Sequence, residues 1–434
     1  MNRFGSWLSK YSMVLVLLGL CAFFSAMTIR EQQPTPQEAV EEVWGGQRAR
    51  MDWGTVVVGS QSPEDMDFAS AFELAWKIAG VRTPEDRIWI GTPQEIRRRI
   101  QSQGNSPLEL ILAPGARNWV LFEDIEQKFP DQRLTLRVVG GTRWPNFLKR
   151  QNLINVVNRI VEIGILAVGM TLVILTGGID LSVGSLIALS SVVTTTLIRD
   201  CMGGTEATVG GLFVAGMLGV SLCGLCGWIN GGLVVGFRIP PFIATLGMMM
   251  IASGLAFMIS QGQSIDSVPA SFVWLGRSRW LGIPIAVWLM LGIFAIGQAV
   301  MVLTTYGRSI YAIGGNELAA RLCGVRVGWI TASVYGVSGL LAGLGGLVMA
   351  SRLGTGDAKY GATVELSVIA AVVVGGTSLR GGYGTMIGTL IGALTIAVIE
   401  NGMNLMQLDS YVQKVVFGAI LLFAVLIDRL RHKG

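Results

Sequence analysis

Thr176-Gly-Gly-Ile-Asp-Leu-Ser-Val-Gly-Ser185 joins two apolar runs, 160–177 and 181–198, and decides the fold class. Each run approaches the roughly 20 residues that a helix needs to cross a bilayer core. No backbone group goes unpaired in lipid, so neighbouring apolar runs of this length read as membrane helices. Working outward, similar runs lie at 11–29, 208–236, 241–260, 283–305, 327–350, 362–376, 384–402 and 411–428. The composition agrees: 14% of the 434 residues are charged, 51% are hydrophobic and 58 are Gly. Soluble domains average about 25% charged residues. The chain therefore reads as an all-α polytopic membrane protein of about ten transmembrane helices, surrounded by membrane lipid.

Several function classes fall away at once. A net charge of +5 without a basic stripe gives no nucleic-acid footprint. Cys21, Cys201, Cys223, Cys226 and Cys323 lie in apolar segments or their connections, which is no disulfide framework. Cys223-x-x-Cys226 has no second pair and reads as small packing residues, not as a metal or redox site. The single histidine, His432, belongs to a basic tail, which removes most hydrolase and acid–base designs. No catalytic or metal-ligating constellation is legible, so the chain reads as no enzyme.

Arg3 and Lys10 precede the first apolar run, as in a signal peptide, but its length and the even number of spans favour a retained anchor. With the N-terminus cytoplasmic, the inside loops carry more Lys and Arg than the short outside ones, and ten spans return the C-terminus inside. Residues 1–30 then form the cytoplasmic tip and first span, and 146–430 the transmembrane domain. Between them, 31–145 is rich in both charges and is expected outside the cytoplasm. Strand-like runs at 55–59, 87–90, 108–112 and 133–139 alternate there with helical stretches at 66–80, 94–103 and 118–128, after a polar linker at 31–38. This alternation predicts an inserted small α/β domain.

Three stretches hold polar or glycine-rich sequence that a lipid anchor does not need. In the first, Asp180 reads either as a helix N-cap alone or as a cap that also lines a pathway. The second is the inside connection 306–326. Asn316 can cap a short helix through Glu317-Leu-Ala-Ala-Arg-Leu-Cys323, which Gly324 ends. Its small residues Ala319, Ala320 and Gly324 suit close packing against a partner. The third, Gly375-Gly-Thr-Ser-Leu-Arg-Gly-Gly-Tyr-Gly384, repeats the GG-x-x-L-x-x-G pattern of 177–184. Asp180, Asn230, Glu365 and Asn401, polar within or beside apolar spans, are the candidates for a translocation route or its gates.

With Asn146-Phe-Leu-Lys-Arg-Gln-Asn-Leu-Ile-Asn155, Ala167-Val-Gly-Met-Thr-Leu-Val-Ile-Leu-Thr176, Pro241-Phe-Ile-Ala-Thr-Leu-Gly247 and Ile399-Glu-Asn-Gly-Met-Asn404, these stretches resemble one family. It comprises the permeases of bacterial carbohydrate importers of the ribose, xylose, arabinose and galactose type, in the ATP-binding cassette superfamily. The resemblance spans roughly Asn146 to Leu430. It implies a plasma-membrane importer built from two permeases (a second copy or a paralogue), two cytoplasmic ATPase subunits that bind the ATP, and an extracytoplasmic sugar-binding protein. It also implies that Gly315, Asn316, Glu317, Ala319, Ala320 and Gly324 form the loop that couples to the ATPase. Leu318 stands where many permeases carry the Glu of the EAA motif, with Glu317 beside it.

The insertion departs from the family, whose members join the first two spans briefly. Structural elaboration, binding-protein docking, a fused sugar-binding element and a sensor compete for its role. Trp53, Trp76, Trp89, Trp119 and Trp144 could stack on sugar rings, but core packing is the commoner use of such tryptophans. An ion-driven secondary sugar transporter is the main rival for the whole chain. It needs ionisable residues within the spans, and Glu162, Glu365 and Glu400 all sit near span ends.

Overall fold

The computed structural model describes residues 3–32, 36–44, 54–78, 84–104, 107–139 and 142–431. His432 and Trp53 lie outside them. The chain divides into two compact units, Met1–Thr28 with Asn146–Gly434, and Ile29–Pro145.

After helix α1 (Arg3–Met27) the chain enters the second unit, Ile29–Pro145. Its first strand β1 (Ile29–Gln32) pairs antiparallel with its last, β6 (Thr142–Pro145), so the two ends of the unit lie side by side. Between them, β2 (Thr55–Gly59), β3 (Ile88–Ile90), β4 (Leu108–Leu112) and β5 (Leu134–Val138) form a parallel sheet in the order β3-β2-β4-β5. The helices are α2 (Pro36–Trp44), α3 (Pro63–Ile78), α4 (Pro93–Ser102) and α5 (Ile125–Lys128). Alternation along the strands builds two cores. Val56, Val58, Leu110 and Leu112 pack with Ile96 and Ile100 of α4, whereas Val57 and Ile111 pack with Phe68, Phe72 and Trp76 of α3. A sheet buried on both faces reads as continuous apolar runs, which is why Val56-Val-Val58 and Leu110-Ile-Leu112 stood out. The buried Asp65 carboxylate ties the ends of the central strands. It accepts from Ser60 N (2.7 Å), Ser60 Oγ (2.7 Å) and Gly115 N (2.8 Å).

Sequence and structure part at three places here. The polar stretch expected to be a linker runs into α2, whose Ala39 and Val43 are buried. The helix expected over 118–128 breaks into a 3-10 turn, Val120–Phe122, and the four-residue α5, because Asp124 adopts φ +51° between them. Trp76 and Trp89 are core residues and Trp119 stacks on Phe122, but Trp144 on β6 is half exposed.

In the first unit every apolar run is a helix: α6 (Arg150–Leu175), α7 (Val183–Cys201), α8 (Val209–Gly236), α9 (Pro241–Ser260), α11 (Ile285–Leu303), α14 (Val327–Leu353), α15 (Val364–Val374), α16 (Met386–Leu405) and α17 (Ser410–Arg431). The short α10 (Trp274–Arg277) and the hairpin of β7 (Arg279–Trp280) and β8 (Ile283–Pro284) lie between α9 and α11, and α12 (Thr305–Gly315) and α13 (Glu317–Leu322) follow α11. Among the described residues seven helices, α6, α7, α8, α9, α11, α14 and α16, are long and apolar enough to span a membrane, with shorter apolar helices at Met13–Met27 and Val364–Val374.

Small residues set the closest packing. Gly219, Cys223, Gly227 and Gly231 recur every fourth position of α8, and three of them face α14. A side chain at Gly227 would meet the Tyr335 carbonyl, one at Gly231 Ala332, and one at Gly339 or Gly343 the backbone of α8 near Cys223. Backbones this close need small residues. Cys223 and Cys226 of α8 are buried free thiols, and Cys223 Sγ donates to Leu186 O of α7 (3.3 Å). On the other side α1 lays Phe24 over Gly402 of α16, and Thr28 holds the start of the second half of the unit. Its carbonyl accepts from Asn146 N (2.9 Å) and its Oγ1 from Phe147 N (3.1 Å).

Candidate route and coupling surfaces

Helix α6 ends in a Schellman motif. Gly177, at φ +82°, donates to Ile174 O (2.8 Å), and Gly178 donates to Val173 O (3.1 Å). The end of α15 repeats it with Gly376 at φ +85°, where Gly376 donates to Val373 O (2.8 Å) and Thr377 to Val372 O (3.1 Å). The two glycine-rich stretches are thus alike in structure, but one residue out of the frame their sequence pattern gives: Gly177 matches Gly376, not Gly375. They also meet, since Gly382 N donates to Leu175 O (2.9 Å).

Beyond Gly178 the connection turns back among the helices. Asp180 is fully buried and accepts from Ser182 N (3.0 Å), Ser182 Oγ (2.6 Å) and Ser338 Oγ (2.8 Å). Ser338 lies eleven residues into α14, about 16 Å along a helix rising 1.5 Å per residue. The carboxylate is therefore at mid-depth in that span, and 176–182 is not a turn at the membrane surface. Nor is Asp180 the N-cap of α7. Ser182 holds that position, and Asp180 instead bridges the connection to α14. Asn230 of α8 joins the same cluster through its Nδ2, which donates to Ser182 Oγ (3.1 Å). Thr245 of α9 donates to Ile179 O (3.3 Å). Buried beside this cluster, Asn230 Oδ1 and Tyr335 OH have no hydrogen-bond partner among the described residues. Sequence reading missed Ser338 and Tyr335, because neither hydroxyl differs in pattern from other small or aromatic residues of α14.

The other two route candidates lie elsewhere. Glu365 is in the first turn of α15, with its carboxylate over Gly184 of α7. Asn401 of α16 forms a two-way amide pair with Asn152 of α6, both bonds 2.9 Å. Asp180 and Asn230 form one cluster, and Glu365 and Asn401 are outside it.

On the connection 304–326, α13 is capped as its sequence suggests: Asn316 Oδ1 accepts from Ala319 N (3.0 Å), and Gly324 leaves the helix at φ +81°. The expected small-residue face is corrected, because Ala320 is buried against the helices behind α13 while Ala319 and Gly324 are exposed. What α13 presents outward is Leu318 and Leu322, 74% and 90% exposed and one turn apart. Beside them lies the Glu317–Arg321 pair (2.6 Å). Inward, α12 reaches the glycine-rich connections: Tyr311 OH donates to Gly384 O (2.7 Å), and Gly314 packs against Leu175 O and Gly382.

A bundle that keeps a carboxylate at mid-depth among hydroxyls and amides, sealed by glycine-packed helices, has the build of a polytopic membrane transport protein. The chain belongs to the family described as branched-chain amino acid transport system / permease component, whose model matches residues 152–425. It is 41% identical over 308 residues to the ribose import permease protein RbsC of Escherichia coli, covering 70% of this chain and 94% of that protein. Ribose import permease protein RbsC of Bacillus subtilis is 41% identical over 294 residues, 66% of this chain and 87% of its own length. The L-arabinose ABC transporter permease protein AraH of Azospirillum brasilense is 38% identical over 288 residues, 66% and 83%. No solved structure matches. This is a family of transport permeases, not of enzymes.

Proposed function

We propose that this chain is the transmembrane permease subunit of an ATP-driven importer of a monosaccharide of the ribose or xylose type. The observation that carries this reading is the 41% identity to a ribose import permease across 94% of that protein's length. In this reading two permeases, a pair of copies or a paralogous pair, enclose the route in the plasma (inner) membrane. Two cytoplasmic cassette ATPases bind the ATP and a sugar-binding protein delivers cargo from outside. Gly315, Asn316, Glu317, Ala319 and Gly324 frame the coupling surface, with Leu318 and Leu322 as the apolar ridge that enters the ATPase and Ala320 as the residue that seats α13 on the bundle. Movement of α13 passes through α12 to the glycine-rich connections, and from Leu175 to Asp180 and Asn230 at the route. Glu365 and Asn401 stand at its gates.

Both termini and 306–326 are cytoplasmic, and 31–145 is extracytoplasmic, where it influences docking of the binding protein. Span parity and the basic bias support this orientation. Cysteines introduced at Ser62 and Asn316 test it in intact cells: an impermeant thiol reagent is expected to reach the first and not the second. The transport reading is tested by reconstituting the chain in proteoliposomes with a cassette ATPase and a sugar-binding protein. Uptake of labelled ribose, xylose, arabinose or galactose is expected to require ATP. Uptake that needs an ion gradient and no ATPase would overturn it.

A further inference from the structure

At the end of the first unit away from α13, the first three turns of α6 and the last turn of α16 enclose an open cavity of about 390 Å³. Its lining is Asn152, Asn155, Asn158, Arg159, Asn401, Asn404 and Leu405. Five amides converge on this open cavity: Asn152 and Asn401 are buried, Asn158 is partly buried, and Asn155 and Asn404 are exposed. Packing uses only part of their capacity. Asn152 and Asn401 bond each other, Asn152 Nδ2 also donates to Phe147 O (2.9 Å), and Asn404 Oδ1 accepts from Gln413 Nε2 (3.0 Å). The amide nitrogens of Asn155 and Asn404 and the whole Asn158 side-chain amide have no bond among the described residues. The one cation is offset, since Arg159 faces the Glu400 carboxylate at 3.8 Å. In the topology proposed above, no span separates residues 31–145 from the start of α6, so this end of α6 belongs to the extracytoplasmic side. The α12 contact with Leu175 lies about 24–35 Å further along α6, at its far end.

We infer that this asparagine-lined cavity is a binding site for an uncharged polyhydroxylated solute, the first contact a monosaccharide makes with the permease. The inference rests on the sugar-importer reading above. An amide offers one acceptor oxygen and two donor hydrogens, so it matches a hydroxyl that both donates and accepts. Inorganic phosphate has at most two O–H donors and carries negative charge, so it matches fewer of the amide oxygens than a sugar does, and the Arg159–Glu400 pairing offsets the cation it would seek. The volume lies within the range of about 300–1,000 Å³ usual for small-molecule sites.

The test is equilibrium binding of tritiated D-ribose, D-xylose, L-arabinose and D-galactose, each alone, to the full-length chain in lipid nanodiscs. Asn158→Leu and Asn404→Leu leave the Asn152–Asn401 pair intact, and unchanged thermal midpoints establish that both variants fold. At least one sugar is expected to bind saturably. Each substitution is expected to weaken binding about tenfold, the equivalent of roughly 1.4 kcal/mol, while inorganic phosphate leaves binding unchanged. Absence of saturable binding of any of the four, wild-type affinity in both variants, or displacement by phosphate overturns the inference. ATP-driven uptake by the reconstituted complex keeps the two readings apart. Wild-type uptake that neither substitution alters sinks the cavity assignment alone, whereas no ATP-driven uptake of any of the four sinks the importer reading.

Discussion

Asp180 is a fully buried carboxylate that accepts three hydrogen bonds from only two serines. Its removal leaves the Ser182 and Ser338 hydroxyls without their acceptor. Asp180→Leu is therefore expected to lower the stability of the purified chain by about 1–3 kcal/mol, read as a lower thermal midpoint. Asp180→Asn keeps an acceptor oxygen toward Ser182 and should lose less. Equal midpoints for both variants and wild type would show that the cluster holds nothing together. The sequence announced Asp180 through its neighbours, Gly177, Gly178 and Gly184, yet could not give its depth. That depth comes from Ser338, 158 positions away, and no local pattern encodes a contact of that range. Asn230 was legible for the plainer reason that an amide within an apolar run needs a partner.

At the scale of elements, helix existence was written in hydrophobicity, and helix contact was written in the spacing of small residues. Gly339 packs on the Cys223 carbonyl, so Gly339→Val overfills the α8–α14 seam and is expected to cost about 1–3 kcal/mol. Gly232, one residue beyond the seam with open space around it, should accept Ala without loss, and thermal midpoints of the two variants make the comparison. Helix α13 supplies a second contrast. Its sequence showed three small residues but not which of them point outward, because six residues are too few for a reliable face. The burial of Ala320 and the exposure of Leu318 and Leu322 separate two effects of substitution. Ala320→Trp should damage folding and expression. Leu318→Asp and Leu322→Asp should leave expression intact and lower ATP-coupled uptake about tenfold or more, since each would bury an unpaired carboxylate in the contact. Normal uptake in both aspartate variants would dismiss α13 as the docking helix.

For the whole molecule, the question is whether Ile29–Pro145 is an independent passenger or part of the permease. Its sheet strands were legible from short apolar runs, but β1, β6 and α2 were not: four-residue strands such as Ile29-Arg-Glu-Gln32 have no alternation to read, and α2 begins within a Pro-containing polar stretch. Those unread strands decide how separable the unit is. Gln32 and Thr142 are direct partners at the far end of the β1–β6 ribbon, so a two-residue turn can close it. Meanwhile α1 is fastened to the rest of its own unit by Thr28 with Asn146 and Phe147 and by Phe24 over Gly402, none of which lies in the insertion. Replacing 33–141 by Asn-Gly is therefore expected to leave an expressed chain that assembles with its ATPase and hydrolyses ATP. The apparent affinity for the sugar-binding protein, measured from the concentration dependence of uptake, should shift. The excised unit, residues 29–145, has cores on both faces of its sheet and should be soluble and unfold in one cooperative transition in urea. Loss of assembly in the Asn-Gly chain would make the insertion part of the permease fold, and tight binding of a monosaccharide by residues 29–145 alone would make it a fused receptor element and not a docking aid.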